Sequence, residues 1–492
     1  MIRPCRTAML VALIATLTAC RVGPNYHAPA VPAGAEAPLA SLNTTVQTPA
    51  PPPDAWWRLY NDSRLDELIE EAFKANPDLA AADANFAAAR AVLSSVHANR
   101  YPSTELRASG TRGRDPVTDE ILELGGHRPQ TIWLYEDVFQ AAYELDLFGR
   151  VHRLIEAANA NADSVAAARD SVKVVVAAEI ARAYATVCAL GVQLKVAHHS
   201  LDVVAHEADI TARSHEAGGN SEFDVKRAQA LVAQVRSSIP QLEGQRRAAF
   251  FELTAILGRT PANAPKELEG CVTPLLLSSL IPVGDGAALI KRRPDVRQAE
   301  RRLAAATAQI GVATAELYPI IRLSGFYGGT ALQPSQLTTN LGLSWGVGPS
   351  ISWTFPNQAA PRARVHQAKA SQAAALALFD SVVLTALKET EQALALYSAA
   401  LDNRQSLAEA QEKIHGAFDI AHDGFLAGSL SNLDLLTTEQ SLVALDAAVA
   451  SSDAALVQDQ IAVFKALGGG WRGEFPDATS GTGSSGTRRI PY

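Results

Sequence analysis

The sequence predicts a mainly helical protein that also contributes a few strands to a membrane β-barrel. Three observations predict this fold class. One segment has strictly alternating apolar residues, two segments of more than 60 residues contain no proline, and one pattern occurs twice along the chain. Helices in ordinary globular domains average about 11–12 residues, so helices as long as these segments allow do not fit such a domain.

The alternating segment is residues 341–355, where every second residue is large and apolar except at Pro349 and the residues between are small. Side chains of a strand point to opposite faces in turn, so one face is apolar and the other small and polar. About 9–11 residues of strand cross a bilayer, which predicts a wall strand of a membrane barrel. A strand of a soluble β-sandwich would show the same alternation. The residues predicted to face lipid are Leu341, Leu343, Trp345, Val347, Ile351 and Trp353.

The first residues indicate export and a lipid anchor. A basic start followed by about ten mostly apolar residues is typical of a secretory leader, here 1–19, and is too short to cross a bilayer. The sequence Leu-Thr-Ala-Cys that ends the run resembles a bacterial lipobox, which implies cleavage before Cys20 and acylation of that cysteine. An ordinary leader with a coincidental cysteine is the alternative. Arg21 follows where lipoproteins of the inner membrane often carry Asp, which favours the outer membrane.

The two ends of the mature chain are predicted to be irregular. Residues 20–62 contain many Pro, Ala and Thr without apolar periodicity, which predicts an extended tether leaving the lipid. Residues 469–492 are predicted to form a flexible tail, because their end is rich in Gly and Ser. The net charge of −8 argues against a nucleic-acid partner. No apolar run after the leader reaches the roughly 18 residues of a spanning helix, so strands are expected to cross the membrane.

Two cysteines, Cys188 and Cys271, remain in the body of the chain. Two cysteines do not make a disulfide framework, although an oxidising periplasm would allow them to pair. We expect two structural thiols.

Most of the chain consists of two copies of one unit. Asn-Pro-Asp-Leu at residue 76 recurs as Arg-Pro-Asp-Val 217 positions later, and Ala-Gly with a following Ser and Asp recurs after 210 positions. Chance similarity between common alanines would not keep these patterns in order, so a duplication is the economical explanation. The first repeat is assigned to residues 63–270 and the second to residues 271–468.

Each copy contains the same elements in the same order. A helix of about 24 residues ends at Tyr-Pro, because proline and the residue before it resist further helix. Two strands follow, predicted at 104–112 and 131–145 in the first copy and at 320–328 and 341–355 in the second. The long helices are predicted at 151–217 and 362–427, each about 100 Å long at 1.5 Å per residue. After a break containing glycine, shorter helices are predicted at 221–257 and 431–467.

Four strands are too few to close a barrel. An open sheet edge in hydrocarbon leaves backbone groups unsatisfied at several kcal/mol each, and closed barrels need at least about eight strands. The chain is therefore expected to share one barrel with other copies of itself, as an obligate homo-oligomer. Small side chains on the inner strand face leave a lumen open, which predicts a conduit.

Four motifs give the chain its family resemblance. The motifs are Val-Gly-Pro-Asn-Tyr at 22–26, Trp-Trp-Arg-Leu-Tyr at 56–60, Tyr-Glu-Leu-Asp-Leu-Phe-Gly-Arg at 143–150 and Phe-Lys-Ala-Leu-Gly-Gly-Gly-Trp at 464–471. With these motifs the chain resembles the TolC-type outer-membrane efflux lipoproteins, NodT-like outer components of tripartite resistance-nodulation-division (RND) pumps. The resemblance implies a homotrimer with a shared 12-stranded barrel in the outer membrane of a Gram-negative bacterium and a long helical barrel in the periplasm.

The same resemblance implies partners and a function. The partners are a periplasmic adaptor (membrane fusion) protein, an inner-membrane RND-type transporter and outer-membrane lipid. The function is a passive exit channel for drugs or other small molecules. A duct for type I protein secretion shares this architecture, and a non-conducting, lipid-anchored coiled-coil scaffold is the alternative from another class.

Enzymatic interpretations find little support. The sequence contains no Walker loop, nucleophile elbow or CxxC motif, and its paired histidines lack the HExxH arrangement of a zinc site. We expect no catalytic residue, no metal and no cofactor beyond the covalent lipid on Cys20.

The breaks between long and short helices are the candidate functional site. By resemblance, these hairpin turns are the periplasmic tips that the adaptor contacts, and Gly218 and Gly428 suit a sharp reversal because glycine adopts positive φ cheaply. Asp224 and Asp434 match family positions near the periplasmic aperture, where symmetry would place a ring of carboxylates that attracts cations. The simpler interpretation is a glycine C-cap followed by a favourable N-terminal charge.

The second turn departs from the family pattern at three positions. Phe425 replaces a tyrosine, Leu430 replaces a basic residue and Thr437 replaces a second acidic residue. These departures remove the polar groups of a closed-state latch. A hydrophobic constriction formed by Phe425, Leu430 and Leu433 is the predicted substitute.

Overall fold

The computed structural model describes residues 21–41, 47–48, 50–114, 120, 123–126, 131–275, 277, 280–340 and 342–469. The predicted leader, Cys20, the strand residue Leu341 and the predicted tail from residue 470 onward lie outside these residues.

The first repeat contains the predicted elements in the predicted order. Its helices and strands are α1 (Ser63–Ala75), α2 (Pro77–His97), β1 (Ser103–Gly113), β2 (Ile132–Leu145), α3 (Arg150–Glu216) and α4 (Glu222–Ile256). The long helix α3 has 67 residues and continues without a break, as the lack of proline predicts.

The second repeat has the same six elements in the same order, and its first helix is shorter than α1. Its elements are α5 (Gly286–Arg292), α6 (Pro294–Ala315), β3 (Ile320–Ala331), β4 (Leu343–Ser352), α7 (Ala359–Leu426) and α8 (Asn432–Ala466). The long helix α7 has 68 residues, and α8 has the same 35 residues as its counterpart α4.

The described chain divides into two compact units. One contains the described residues of 21–29, 87–165 and 299–378, and the other contains the described residues of 30–86, 166–298 and 379–469. The first unit holds a four-stranded antiparallel sheet in the order β1-β2-β3-β4.

The second unit holds the main hydrophobic core. Trp56 is fully buried and stacks on Phe464, with ring centroids 4.8 Å apart. Both residues belong to the motifs that carry the family resemblance. Around them pack α1, the middle of α3 and the ends of α4 and α8. The structure therefore differs from a free tether over residues 20–62, since Trp56, Trp57 and Tyr60 lie in this core and Leu39 is buried with them.

The two cysteines are joined. Cys188 of α3 and Cys271, the first residue assigned to the second repeat, form a disulfide. The prediction of two separate thiols is therefore wrong. The fold explains the difference, because the segment after α4 runs against α3, where the backbone carbonyl of Cys271 lies close to Gly191 and accepts a hydrogen bond of 2.8 Å from Arg246.

A second correction concerns helices and membranes. Within the described residues, α3, α7 and α8 each contain a stretch of 18 residues that is long and apolar enough to cross a membrane by length and composition. The sequence prediction considers only uninterrupted apolar runs and is wrong when the average hydropathy of 18 residues is used instead. Stretches with many alanines and few charged residues reach a high average hydropathy without being uninterrupted apolar runs. In α3, 72% of that stretch is buried inside the chain.

Candidate functional site

One face of the sheet is apolar and uncovered within its unit. The register aligns Leu106 of β1, Phe139 of β2, Tyr327 of β3 and Trp345 of β4 in one row, and their exposed fractions are 75%, 46%, 59% and 70%. Directly paired residues share a face, so this row confirms one continuous apolar surface across all four strands.

The opposite face carries mostly polar and small side chains, with apolar exceptions that include Leu134, Val138 and Phe326. One of its rows joins Glu144, Arg322 and Ser350, with Arg322 Nη2 3.5 Å from Glu144 Oε2. Glu144 also accepts two hydrogen bonds of 2.8 Å from the guanidinium of Arg150, the first residue of α3. The sheet thus has the two chemically different faces of a barrel wall.

The residues predicted to face lipid lie where the alternation places them. Leu343, Trp345, Val347 and Ile351 are exposed on the apolar face of β4. The observed strand is shorter than the predicted 341–355 and ends at Ser352. Trp353 therefore lies just past it, where its indole donates to the carbonyl of Leu317 at 3.0 Å. The ladder ends there because β3, its partner, begins only at Ile320, after Pro319.

Asp137 interrupts the apolar face of β2. Its Oδ1 accepts a hydrogen bond of 2.8 Å from the backbone N–H of Gly329 on the neighbouring strand. The carboxylate is therefore hydrogen-bonded to the backbone of the neighbouring strand.

The segment that begins at residue 21 is fixed next to the end of β2. Val22 donates its N–H to the carbonyl of Phe148 at 3.2 Å, and the buried guanidinium of Arg153 donates to Asn25 Oδ1 at 2.8 Å. Arg153 also donates to the carbonyl of Gly23 at 3.3 Å. No local sequence signal pairs Arg153 with a segment 130 residues away, so the sequence analysis missed this contact.

The two hairpin turns have nearly identical backbones. Gly218 and Gly428 have φ values of 81° and 73°, so both adopt the left-handed conformation that the sequence predicts for a sharp reversal. The next helix then begins with a reciprocal capping box in each turn. In the first turn, Asp224 Oδ2 accepts from the hydroxyl of Ser221 at 2.6 Å and from its N–H at 3.1 Å.

The second turn repeats this arrangement. Asp434 Oδ2 accepts from the hydroxyl of Ser431 at 2.6 Å and from its N–H at 3.2 Å. These hydrogen bonds lower the pKa of both aspartates, and at Asp224 the side-chain amide of Asn432 and the charge of Arg227 lower it further. Each carboxylate is therefore ionised and held by the capping serine of its own turn, and Asp434 is exposed to solvent.

The other aperture residues surround the second turn. Leu430 packs over Gly424 at the end of α7, where an added Cβ would meet its side chain at 2.7 Å. Phe425 is half-buried. Thr437 is exposed and donates its hydroxyl to the carbonyl of Leu433 at 2.9 Å, so this hydroxyl is used inside the helix.

Among the described residues, His, Cys, Asp and Glu side chains form no group of three or more that could hold a metal ion. A buried polar cluster between α3, α7 and α8 was missed by the sequence analysis, because its members, Glu207, His422 and Glu439, are far apart in the chain.

A sheet with one lipid-compatible face, joined to hairpins of very long helices, defines an outer-membrane channel protein. The outer membrane efflux protein family matches residues 68–259 and 287–469, which is more than half of the chain, and the chain belongs to this family. The family consists of transport channels of the Gram-negative outer membrane with a helical periplasmic part, so the chain is a channel component and not an enzyme.

The chain is also similar to individual members. It is 28% identical over 471 residues to the antibiotic efflux pump outer membrane protein ArpC of Pseudomonas putida, covering 94% of this chain and 96% of ArpC. It is 28% identical over 459 residues to nodulation protein T of Rhizobium leguminosarum bv. viciae, covering 92% of both. The solved structure of the outer-membrane channel OprN shares 33% identity, with a TM-score of 0.83 over 92% of this chain and 100% of that one.

Proposed function

We propose that three copies of this chain form the exit channel of a tripartite efflux system. Each copy contributes four strands to a 12-stranded barrel in the outer membrane. The channel passively conducts drugs or other small molecules that an inner-membrane RND-type transporter delivers through a periplasmic adaptor. The hairpin turns form the periplasmic aperture and the surface that the adaptor contacts.

The observation that carries this proposal is the open, two-faced sheet. Within the described residues, β1 and β4 each pair with a strand on one side only, although the apolar face needs a lipid environment. Edge groups cannot remain unpaired in hydrocarbon. Pairing the β4 edge of one copy with the β1 edge of the next satisfies both edges and closes the cylinder.

Two arginine substitutions, one on each of the opposite faces of β4, test the proposal. Val347→Arg places a charge on the apolar face, where it costs about 2–4 kcal/mol near the bilayer midplane, so we expect loss of the assembled trimer. Ser344→Arg, the matched control on the polar face, should leave the trimer intact and reduce cation conductance in planar bilayers. A monomeric wild-type protein in mild detergent, or equal effects of both substitutions on assembly, would contradict the barrel.

The class of cargo is tested by deleting the gene. We expect greater sensitivity to a panel of toxic small molecules with unchanged protein secretion. Loss of a secreted protein with unchanged sensitivity would favour the type I secretion duct.

We also propose that Cys20 carries the lipid anchor. The contacts of Val22 and Gly23 support this, because they hold the residues after Cys20 beside the end of a membrane strand. Mass spectrometry of the N-terminal peptide should find an acylated Cys20. Cys20→Ala should abolish acylation and Cys5→Ala, within the leader, should not. An unmodified Cys20 in the exported protein would refute the anchor.

A further inference from the structure

Two carboxylates lie buried between helices close to the hairpin turns. Glu207 of α3 is 3% exposed and Glu439 of α8 is fully buried. His422 of α7 places its Nδ1 3.0 Å from Glu207 Oε1. Next to this cluster, Thr211 of α3 donates its hydroxyl to Oδ1 of Asn432, the first residue of α8, at 3.3 Å. The cluster therefore lies where α8 packs against α3 and α7.

The cluster has more acceptors than donors. Both carboxylate oxygens of Glu439, and Oε2 of Glu207, have no hydrogen-bond partner among the described residues. An ionised, unpartnered carboxylate in the protein interior costs several kcal/mol, so such a group takes up a proton instead. Burial and the charge of Glu207 raise the pKa of Glu439 to about 8.

The helices around the cluster offer little compensation. At this level α4 contributes apolar side chains, Ala228, Leu231 and Val235, which pack with Val204 of α3 and Leu436 of α8. The charge that acts on Glu439 is that of Glu207 of α3, and the imidazole of His422 of α7 lies against Glu207. A proton is therefore the simplest counter-charge for this carboxylate pair.

We propose that Glu207 and Glu439 form a proton-binding site that fastens the second hairpin turn to α3, so that proton release loosens the aperture. With the proton bound, Glu439 is neutral and does not repel the carboxylate of Glu207. After release, two buried carboxylates repel each other. The packing of Leu436 on Val204 and the bond between Thr211 and Asn432 then weaken. This inference rests on the proposed function, because it takes the hairpin turns to be the aperture.

The direction of the pH response follows from the raised pKa. A carboxyl group whose pKa is higher in the folded state stabilises that state while it is protonated, and this stabilisation is lost as the pH rises through the folded pKa. Closure is therefore firm at pH 6 and loosened at pH 9. Each pH unit in this window changes the opening equilibrium by up to about tenfold.

Hydrogen exchange of the detergent-solubilised trimer at pH 6 and pH 9 tests the site, with rates divided by the intrinsic rate at each pH. Protection of amides in residues 422–440 should fall about tenfold or more in the wild type. In Glu439→Gln it should change less than about twofold. Glu412→Gln, at an exposed position of α7, is the matched control and should behave as the wild type. Equal loss of protection in the wild type and Glu439→Gln would overturn the proposal.

Two further variants assign the proton. Glu207→Gln removes the like charge and should move the midpoint of the loss to lower pH, which also tests the site if Glu439→Gln does not fold. An unmoved midpoint would refute the coupling. His422→Gln should retain a loss of protection at high pH. If the loss disappeared in His422→Gln and persisted in Glu439→Gln, the titrating group would be the imidazole and the proposal would be wrong.

Planar-bilayer conductance separates this inference from the proposed function. We expect the wild-type channel to open more often at pH 9 than at pH 6, and Glu439→Gln to open equally at both. No conductance at any pH would refute the channel itself. Conductance with the same pH response in both proteins would refute only the proton site.

Discussion

The two repeats form the same turns and helix ends with different side chains. At the turns, the glycine and the Ser–Asp capping box are shared, but the flanking residues differ. The first turn carries Glu222, Lys226 and Arg227, whereas the second carries Asn432, Leu436 and Thr437 at the corresponding positions. Gln229, which is exposed, corresponds to the buried Glu439. Backbone-determined features are thus retained in both copies, and side chains that meet neighbouring helices have diverged.

The residues that precede α2 and α6 show the same contrast between a shared backbone and different side chains. In the first copy, Asn76 donates to the carbonyl of Ile256 at 2.8 Å, and in the second, Arg293 donates to the carbonyl of Ala466 at 2.9 Å. Ile256 and Ala466 are equivalent last residues of α4 and α8. An amide and a guanidinium therefore satisfy the same backbone group in the two copies.

The largest difference between the repeats is the disulfide that α3 forms, because the equivalent helix α7 contains no cysteine. Cys188 and Cys271 are 83 positions apart, and closing a loop of that size stabilises the folded state by about 4 kcal/mol. We expect Cys188→Ser and Cys271→Ser to lower the free energy of unfolding equally, and the double variant to lower it no further. Denaturant unfolding followed by circular dichroism measures this. Additive losses would show that the cysteines act separately.

Alanine substitution at Arg293 and at Asn76 should lower the free energy of unfolding by different amounts. Arg293→Ala removes a buried guanidinium that also donates to Asp295 at 2.7 Å and to Glu389 at 2.8 Å, which predicts a loss of about 3 kcal/mol. Asn76→Ala removes one interhelix bond and the N-cap of α2, which predicts about 2 kcal/mol. Unfolding of both variants in the same detergent gives the comparison. A larger loss for Asn76→Ala would contradict it.

The glycines that follow α4 and α8 provide another difference between the two repeats. Gly258 and Gly468 both have positive φ, so alanine is strained at either position by about 1 kcal/mol. At Gly258 the added Cβ would also meet the carbonyl oxygen of Ala75, whereas at Gly468 it would meet Cγ of Arg293 at 3.0 Å and its Cα at 3.3 Å. The overlap with the backbone is therefore more severe at Gly258. We therefore expect Gly258→Ala to lower the melting temperature more than Gly468→Ala, and equal shifts would refute this reason.

The smallest difference is expected at the capping boxes, whose geometry is the same in both turns. Ser221→Ala and Ser431→Ala should each cost about 1 kcal/mol. The pKa values of Asp224 and Asp434 are lowered, so their stabilisation is present above the ordinary value of 3.8 and is lost as the pH falls through the folded pKa. Hydrogen exchange of the two turns should therefore increase together in acid. Increased exchange in only one turn would show that the two capping boxes are not equivalent.

The sequence predicted the features that depend on local chemistry. Alternation at residues 343–352 gave the strand and its faces, the absence of proline gave the long helices, and the order Gly, Ser, Asp gave the turns. In each case the residues that determine the structure are neighbours in the chain. The role of Asp224 and Asp434 as a carboxylate ring stays a prediction, since it concerns several copies of the chain.

The features that were missed depend on distant pairs. The disulfide, the Arg153 contact with Asn25 and the Glu207–His422–Glu439 cluster each join residues separated by 83 positions or more, or lie on different helices. A single glutamate in a helix sequence looks solvent-exposed, and only the packing of three helices makes Glu439 buried. Such sites need the tertiary structure.

The uncovered apolar row of Leu106, Phe139, Tyr327 and Trp345 has a consequence for biogenesis. Before insertion, a newly exported chain carries this surface through water, where matching strands of other chains could add to its open edges and start aggregation. Productive delivery to the outer membrane therefore requires a periplasmic chaperone that shields the sheet, or insertion that is faster than encounters between unassembled chains.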